Sequence, residues 1–235
     1  RQAWVEYHVD KQAKTVTFEV KTGTGKAPEP SKAGRGSKFR CLVCEEVVED
    51  DYMKDAGTKK QIHSQLMAIV TEGERGRNYH SPTTEQSLIA SQAQPDWSPS
   101  GELVNDRRWF SPPIYGFTGF VDLFTPRQLV ALTTFSDLVH EAREQAHADA
   151  LNAGLPDDGI PLCDSGRGAL AYGEAVSVYL AFIVDKLSDI ASNLCRWEPV
   201  AQCPRGVFGR QAIPMVWDYA EGNPLGNSSG SWKSL

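Results

Sequence analysis

The sequence predicts an α+β protein: a small antiparallel β front of zinc-ribbon-like character, then a mainly helical body built on a long antiparallel helix pair. Three observations carry this. Two β-rich runs near the start flank a polar turn, a Cys41-Leu-Val-Cys44 spacing follows them, and two long stretches of the second half carry apolar residues every three to four positions. The expected segments are a β-hairpin and half zinc-ribbon over 1–60, a mixed body over 61–225 with helices near 126–152 and 168–197, and a flexible tail over 226–235.

The chain has 235 residues, enough for a core with a small satellite, and 40% apolar with 23% charged residues describe an ordinary folding chain. The longest apolar or small run, Ala175 to Val184, is too short for a bilayer, so no membrane association is expected. The start, Arg1-Gln2-Ala3-Trp4, carries no charged-then-apolar leader, and the expectation is an internal piece of a longer polypeptide. A net charge of −6 argues against a nucleic-acid surface spread over the whole molecule, yet residues 1–40 hold nine Lys or Arg against four acids. Five cysteines with one close pair suggest metal-knuckle spacing rather than a disulfide framework, hence a reducing, cytoplasmic compartment.

Trp4 to Val9 and Thr15 to Val20 predict a hairpin. Gly23 to Ser37 is rich in Gly, Pro, Ser and Lys and predicts a mobile connection. Its Gly-Thr-Gly-Lys26 is followed by Ala27, which breaks the phosphate-loop pattern. Cys41 and Cys44 are candidate zinc ligands, but structural zinc takes four, so a small turn without metal and half of a zinc site both remain open. Asp50 to Ala56 predicts a short helix. Gln65 to Thr71 and Asn78 to Ser81 predict strands around Glu72-Gly-Glu-Arg-Gly-Arg77, where Arg75 and Arg77 could clamp phosphate oxygens or simply solvate a hairpin tip.

Thr83 to Gln94 predicts a helix, and an irregular stretch to Asp122 follows. Its aromatics Trp97, Trp109, Phe110, Tyr115, Phe117 and Phe120 either cover a core or, beside Arg107 and Arg108, stack nucleobases. Thr125-Pro-Arg-Gln128 has the capping-box and N1-proline pattern of a helix start, and Leu129, Leu132, Phe135, Val139 and Ala142 mark its inner stripe. His140 and His147 lie seven apart without a metal-helix pattern and suit a solvated face. A second helix is expected to bury Tyr172, Val176, Tyr179, Ile183, Leu187, Ile190 and Leu194. Residues 208–224 concentrate polar groups on an apolar background, as a ligand-facing loop or junction does.

Several runs together resemble a known family. They are Cys41-Leu-Val-Cys44, Gln65 to Gly73 with Arg75-Gly76-Arg77, Asp122 to Val139, Ala171-Tyr-Gly-Glu-Ala-Val176 and Phe208 to Glu221. In this order they resemble the middle of large adenine-specific DNA methylases that carry a zinc ribbon, a group associated with prokaryotic restriction and phage defence. The resemblance implies a parent that transfers a methyl group from S-adenosylmethionine to a flipped DNA base. The glycine-rich cofactor motif, the Asp-Pro-Pro-Tyr motif and the ribbon's other CxxC are all absent here, and Asn223-Pro-Leu-Gly226 lacks the second proline and the aromatic. The expectation is therefore a DNA-recognising or DNA-positioning segment, inactive alone, with an incomplete zinc site. Its expected partners are DNA, through Arg75, Arg77, Arg107, Arg108 and Arg210, and the rest of the parent chain. The alternative is a structural or protein-interaction insertion that never touches DNA.

Overall fold

The computed structural model describes residues 2–74, 76–209, 211–228 and 230–235. It is mixed α and β, with small two-stranded antiparallel sheets and four α-helices among those residues. The chain divides into two compact units: Arg1–Ala93 with Glu102–Thr118, and Gln94–Gly101 with Gly119–Leu235.

The first unit opens with the hairpin of β1 (Gln2–Asp10) and β2 (Thr15–Gly23), longer than the β-rich runs alone predict. The Asp10 carboxylate accepts the N–H groups of Gln12 and Ala13, both at 2.9 Å, and so closes the turn. Opposite pairs such as Tyr7 and Phe18 supply cross-strand contact. The next segment returns to pair Lys32 with Phe39, and β3 (Phe39–Arg40) and β4 (Val47–Val48) flank the cysteine turn. α1 (Asp50–Thr58) follows and runs past the expected stop at Gly57, because that glycine is used for packing. β5 (Ile69–Gly73) and β6 (Gly76–His80) form the expected second hairpin, with Gly73 facing Gly76. α2 (Thr84–Ser91) has the Thr83–Gln86 capping box, although none of its residues is buried.

Asp50 organises this unit. Its carboxylate accepts hydrogen bonds from the Ser37 N–H (2.8 Å), the Ser37 hydroxyl and the Tyr115 hydroxyl (3.4 Å), and pairs with Lys54. These partners are 13 and 65 residues away in sequence, so one side chain ties three segments together.

In the second unit, α3 (Pro126–Asn152) starts as the sequence predicts: the Thr125 N–H donates to Gln128 Oε1 at 2.8 Å and the Gln128 N–H to Thr125 Oγ1 at 3.2 Å. α4 (Ala169–Ile190) packs antiparallel to it. The late α3 backbone at Arg143 meets Gly173, where an added Cβ would lie 2.9 Å from the Arg143 carbonyl oxygen, while early Leu132 packs with late Leu187 and Ala191. The core centres on Leu187, which is fully buried, with Phe124, Phe135 and Trp232 around it. Glu174 fastens the connection, pairing with Arg143 at 3.0 Å and accepting the Leu162 N–H at 2.6 Å.

Three expectations are corrected here. α4 stops at Ile190 instead of near 197, because the Ser192 hydroxyl and the Asn193 N–H donate to the Leu123 carbonyl (2.8 and 2.9 Å). The chain then forms a short hairpin of β7 (Arg196–Glu198) and β8 (Cys203–Arg205). Of the expected stripe Leu187 and Leu194 are buried, but Tyr172 and Tyr179 are 52% and 73% exposed, and α4 buries Ala169, Ala171 and Gly173 in place of the two tyrosines. The final residues do not trail away: Trp232 donates its N–H to the Pro224 carbonyl and stacks on Phe135 with centroids 4.4 Å apart. No helix among the described residues is long and apolar enough to cross a membrane.

Candidate nucleic-acid interface

The two units differ in charge. The first holds 16 Lys or Arg against 15 Asp or Glu, and the second 8 against 15. An anionic polymer is therefore better received by the first.

Within it, residues 102–118 form a loop pinned to α1. Tyr115 and Pro112 are buried, and Gly57 and Gly116 touch so closely that a Cβ on Gly116 would lie 2.2 Å from the Gly57 carbonyl oxygen. Gly116 also has φ +84, so a side chain there would be strained as well as blocked. Lys60 donates to the Gly116 carbonyl at 2.5 Å, and the Leu103 N–H to the Thr118 carbonyl at 2.7 Å closes the loop base.

On this base stands a turn begun by Asp106. Its carboxylate accepts the Arg108 N–H at 2.9 Å, and its carbonyl accepts the N–H groups of Trp109 (3.1 Å) and Phe110 (2.8 Å). Three N–H groups are thereby satisfied locally, and Arg107, Arg108 and Trp109 point outward from a fixed backbone. Trp109 is 54% exposed, so it does not cover the core, whereas Tyr115 in the same loop does. Neither Arg107 nor Arg108 has a carboxylate partner among the described residues. Beside the turn lies a cleft of about 330 Å³ lined by Lys54, Thr58, Asn105, Arg107, Pro113 and Ile114. Lys54 is committed to Asp50 and Asp51, and this pairing draws its ammonium pKa upward, so among the described residues that line the cleft Arg107 is the cation without a carboxylate partner.

The other sequence candidates stand elsewhere. Arg77 lies opposite Glu72 in the β5–β6 hairpin and pairs with it at 3.2 Å. Arg75 and Arg210 lie outside the described residues. Of the other exposed aromatics, Trp97 donates its indole N–H to Asp137 at 3.1 Å, and Phe120 lies against Gly101. Trp109 is one of the aromatics that the sequence sets beside Arg107 and Arg108, whereas Thr58 and Asn105 were not singled out from it. The Asn105-Asp106 pair ahead of Arg107 is the signal that could have found Asn105, since Asp at such a position initiates a turn.

Cys41 and Cys44 occupy a tight turn between β3 and β4. The Cys41 N–H donates to the Glu46 carbonyl at 2.8 Å and the Glu45 N–H to the Cys41 carbonyl at 2.9 Å, with Glu45 at φ +66. The Cys44 and Val43 N–H groups point at the Cys41 sulfur, and with the Cys44 thiol they hold the Cys41 pKa below the usual thiol range. A thiol whose pKa is lowered in this way gives up its proton more readily to a soft metal. Two thiols do not make a structural zinc site, however, and no group of three or more metal-binding side chains comes together among the described residues. The donor set fits half of such a site.

No protein-family model, no curated protein and no solved structure matches this chain.

Proposed function

We propose that this chain is a DNA-contacting segment of a larger S-adenosylmethionine-dependent DNA methyltransferase, which positions DNA and performs no chemistry itself. The observation that supports it is the Asp106 turn, where two arginines without carboxylate partners among the described residues directly precede an exposed tryptophan in the less acidic unit. Arg107 and Arg108 are the phosphate contacts in this reading, and Arg77 is secondary because Glu72 already holds it. The methyltransferase parent, its cofactor and the role of Cys41 and Cys44 as half of a zinc ribbon rest on the sequence resemblance alone. Binding of labelled DNA across a salt series tests the reading. A log–log slope of about −1 to −2 is expected for two phosphate contacts, and a slope of zero, or no binding at low salt, would sink it.

A structural or protein-interaction role is the second reading. It draws on α4, where Tyr172, Val178, Tyr179 and Phe182 leave a second, outward apolar face. It predicts no DNA binding at any salt concentration.

A further inference from the structure

We infer that the Asp106 turn and its cleft hold an unpaired stretch of DNA, with one base stacked on Trp109 and an adjoining phosphate on Arg107; this rests on the DNA-contact reading above. Stacking needs the face of a base, and a duplex presents only base edges in its grooves. The exposed indole of Trp109 therefore has a use against unpaired nucleotides that it lacks against a duplex.

Charge points the same way. A grip on duplex DNA draws its affinity from many neutralised phosphates. This unit has a near-even count of basic and acidic residues, and the turn offers two guanidiniums without a carboxylate partner among the described residues. Aromatic stacking adds affinity without adding charge, which is what so sparing a set of cations requires.

The cleft is sized and lined for a base or a nucleotide. At about 330 Å³ it lies at the small end of ligand pockets, with Pro113 and Ile114 as apolar surface. The Asn105 amide can donate and accept at a base edge, and the Thr58 hydroxyl, whose O–H donates to the Lys54 carbonyl at 2.9 Å, can accept from a sugar hydroxyl or a base N–H. The hydrogen-bonded turn keeps Arg107 and Trp109 within one four-residue reverse bend, so phosphate and base contacts fall on neighbouring parts of one strand.

The test uses the whole chain and fluorescence anisotropy, with an oligothymidylate of about twelve nucleotides and a duplex of equal length. The single strand is expected to bind more tightly. Trp109→Ala should weaken that binding roughly tenfold, and Trp109→Phe, which keeps an aromatic face, should retain most of it. Arg107→Ala should reduce the salt slope by about 0.7, the value for one single-strand phosphate, while Tyr179→Ala in the other unit should change nothing. If the duplex binds more tightly, or Trp109→Ala binds oligothymidylate like the parent, this inference fails while the DNA-contact reading stands. If neither DNA binds at low salt, both fail.

Discussion

In the helical unit Leu187, Ala169 and Cys195 are fully buried, and Leu123, Leu129, Leu132 and Leu194 are nearly so. In the hairpin unit the buried apolar side chains are Ala56, Pro112 and Tyr115, and the deepest polar one is Ser37, held by Asp50. One unit is ordered by apolar burial and the other by a carboxylate hub, close glycine contacts and short hairpins. The contrast extends to polar groups: the helical unit leaves Gln128 Nε2, His147 Nε2, Asn193 Oδ1 and Ser231 Oγ buried without a partner among the described residues, whereas the hairpin unit leaves Arg107 and Arg108 exposed without a carboxylate partner among them, beside an exposed Trp109. The proposed contact surface is carried by the part with the smaller core.

The contrast predicts different vulnerabilities. Leu187→Ala removes a fully buried side chain at the α3–α4 contact and should cost about 3 kcal/mol in denaturant unfolding. A loss below about 1 kcal/mol would show that the helix pair is not held by this core.

The thiols offer a second comparison. Backbone N–H groups lower the Cys41 thiol, while burial pushes the Cys195 thiol up to about 11 and its Sγ–H donates to the Ile190 carbonyl at 3.0 Å. Near pH 8, iodoacetamide should label Cys41 at least about a hundredfold faster than Cys195 in the folded chain, as read by peptide mass mapping. Equal rates would mean that the helical unit opens readily or that the Cys41 turn is not preformed.

Acid should separate the units further. The Lys54 ammonium, followed by the Ser37 hydroxyl and N–H, holds the Asp50 carboxyl well below the usual carboxylate range. A depressed folded pKa means that the unfolded chain takes up the proton first. The stabilisation is therefore complete above the ordinary carboxylate range and is lost as pH falls through it toward the folded value. NMR signals of Ser37 and Tyr115 should report this loss between about pH 5 and pH 2. Asp50→Asn should cost about 1 to 2 kcal/mol at neutral pH and flatten the acid limb. An unchanged limb would place the sensitive carboxylate elsewhere.

Legibility in the sequence followed the same division. The α3 start was readable because Thr125, Pro126 and Gln128 act on one another within four residues, and the Asp10 turn was readable for the same reason. The end of α4 was not, since Ser192 and Asn193 leave the helix for carbonyls some seventy positions away. Its inner face was readable only in part: Leu187 was placed inside, but Tyr172 and Tyr179 were too, because a helix apolar on most sides gives periodicity no polar face to contrast with. The docking of Trp232 on Phe135 is likewise invisible in a local run of Gly, Asn and Ser. For the candidate site, Arg107 and Arg108 stood out as charges beside aromatics, but only the fold separates Trp109, which faces outward, from Tyr115, which is buried.

The smallest expected effect bears on where the interface ends. Arg77 carries the same charge as Arg107, so composition alone cannot rank them. The fold can, because Arg77 pairs across the strands with a Glu72 that is 57% exposed, whereas Arg107 has no such partner among the described residues. An exposed pair contributes about 0.2 to 1 kcal/mol, and a phosphate must displace Glu72 before it can use the guanidinium. Arg77→Ala should thus cost under about 0.5 kcal/mol of stability. It should weaken DNA binding by less than about twofold, against several-fold for Arg107→Ala. Glu72→Gln should strengthen binding slightly by freeing Arg77. If Arg77→Ala instead weakens binding as much as Arg107→Ala does, Glu72 yields to phosphate and the β5–β6 hairpin belongs to the interface; the phosphate contacts would then be spread over the unit and not gathered at one turn.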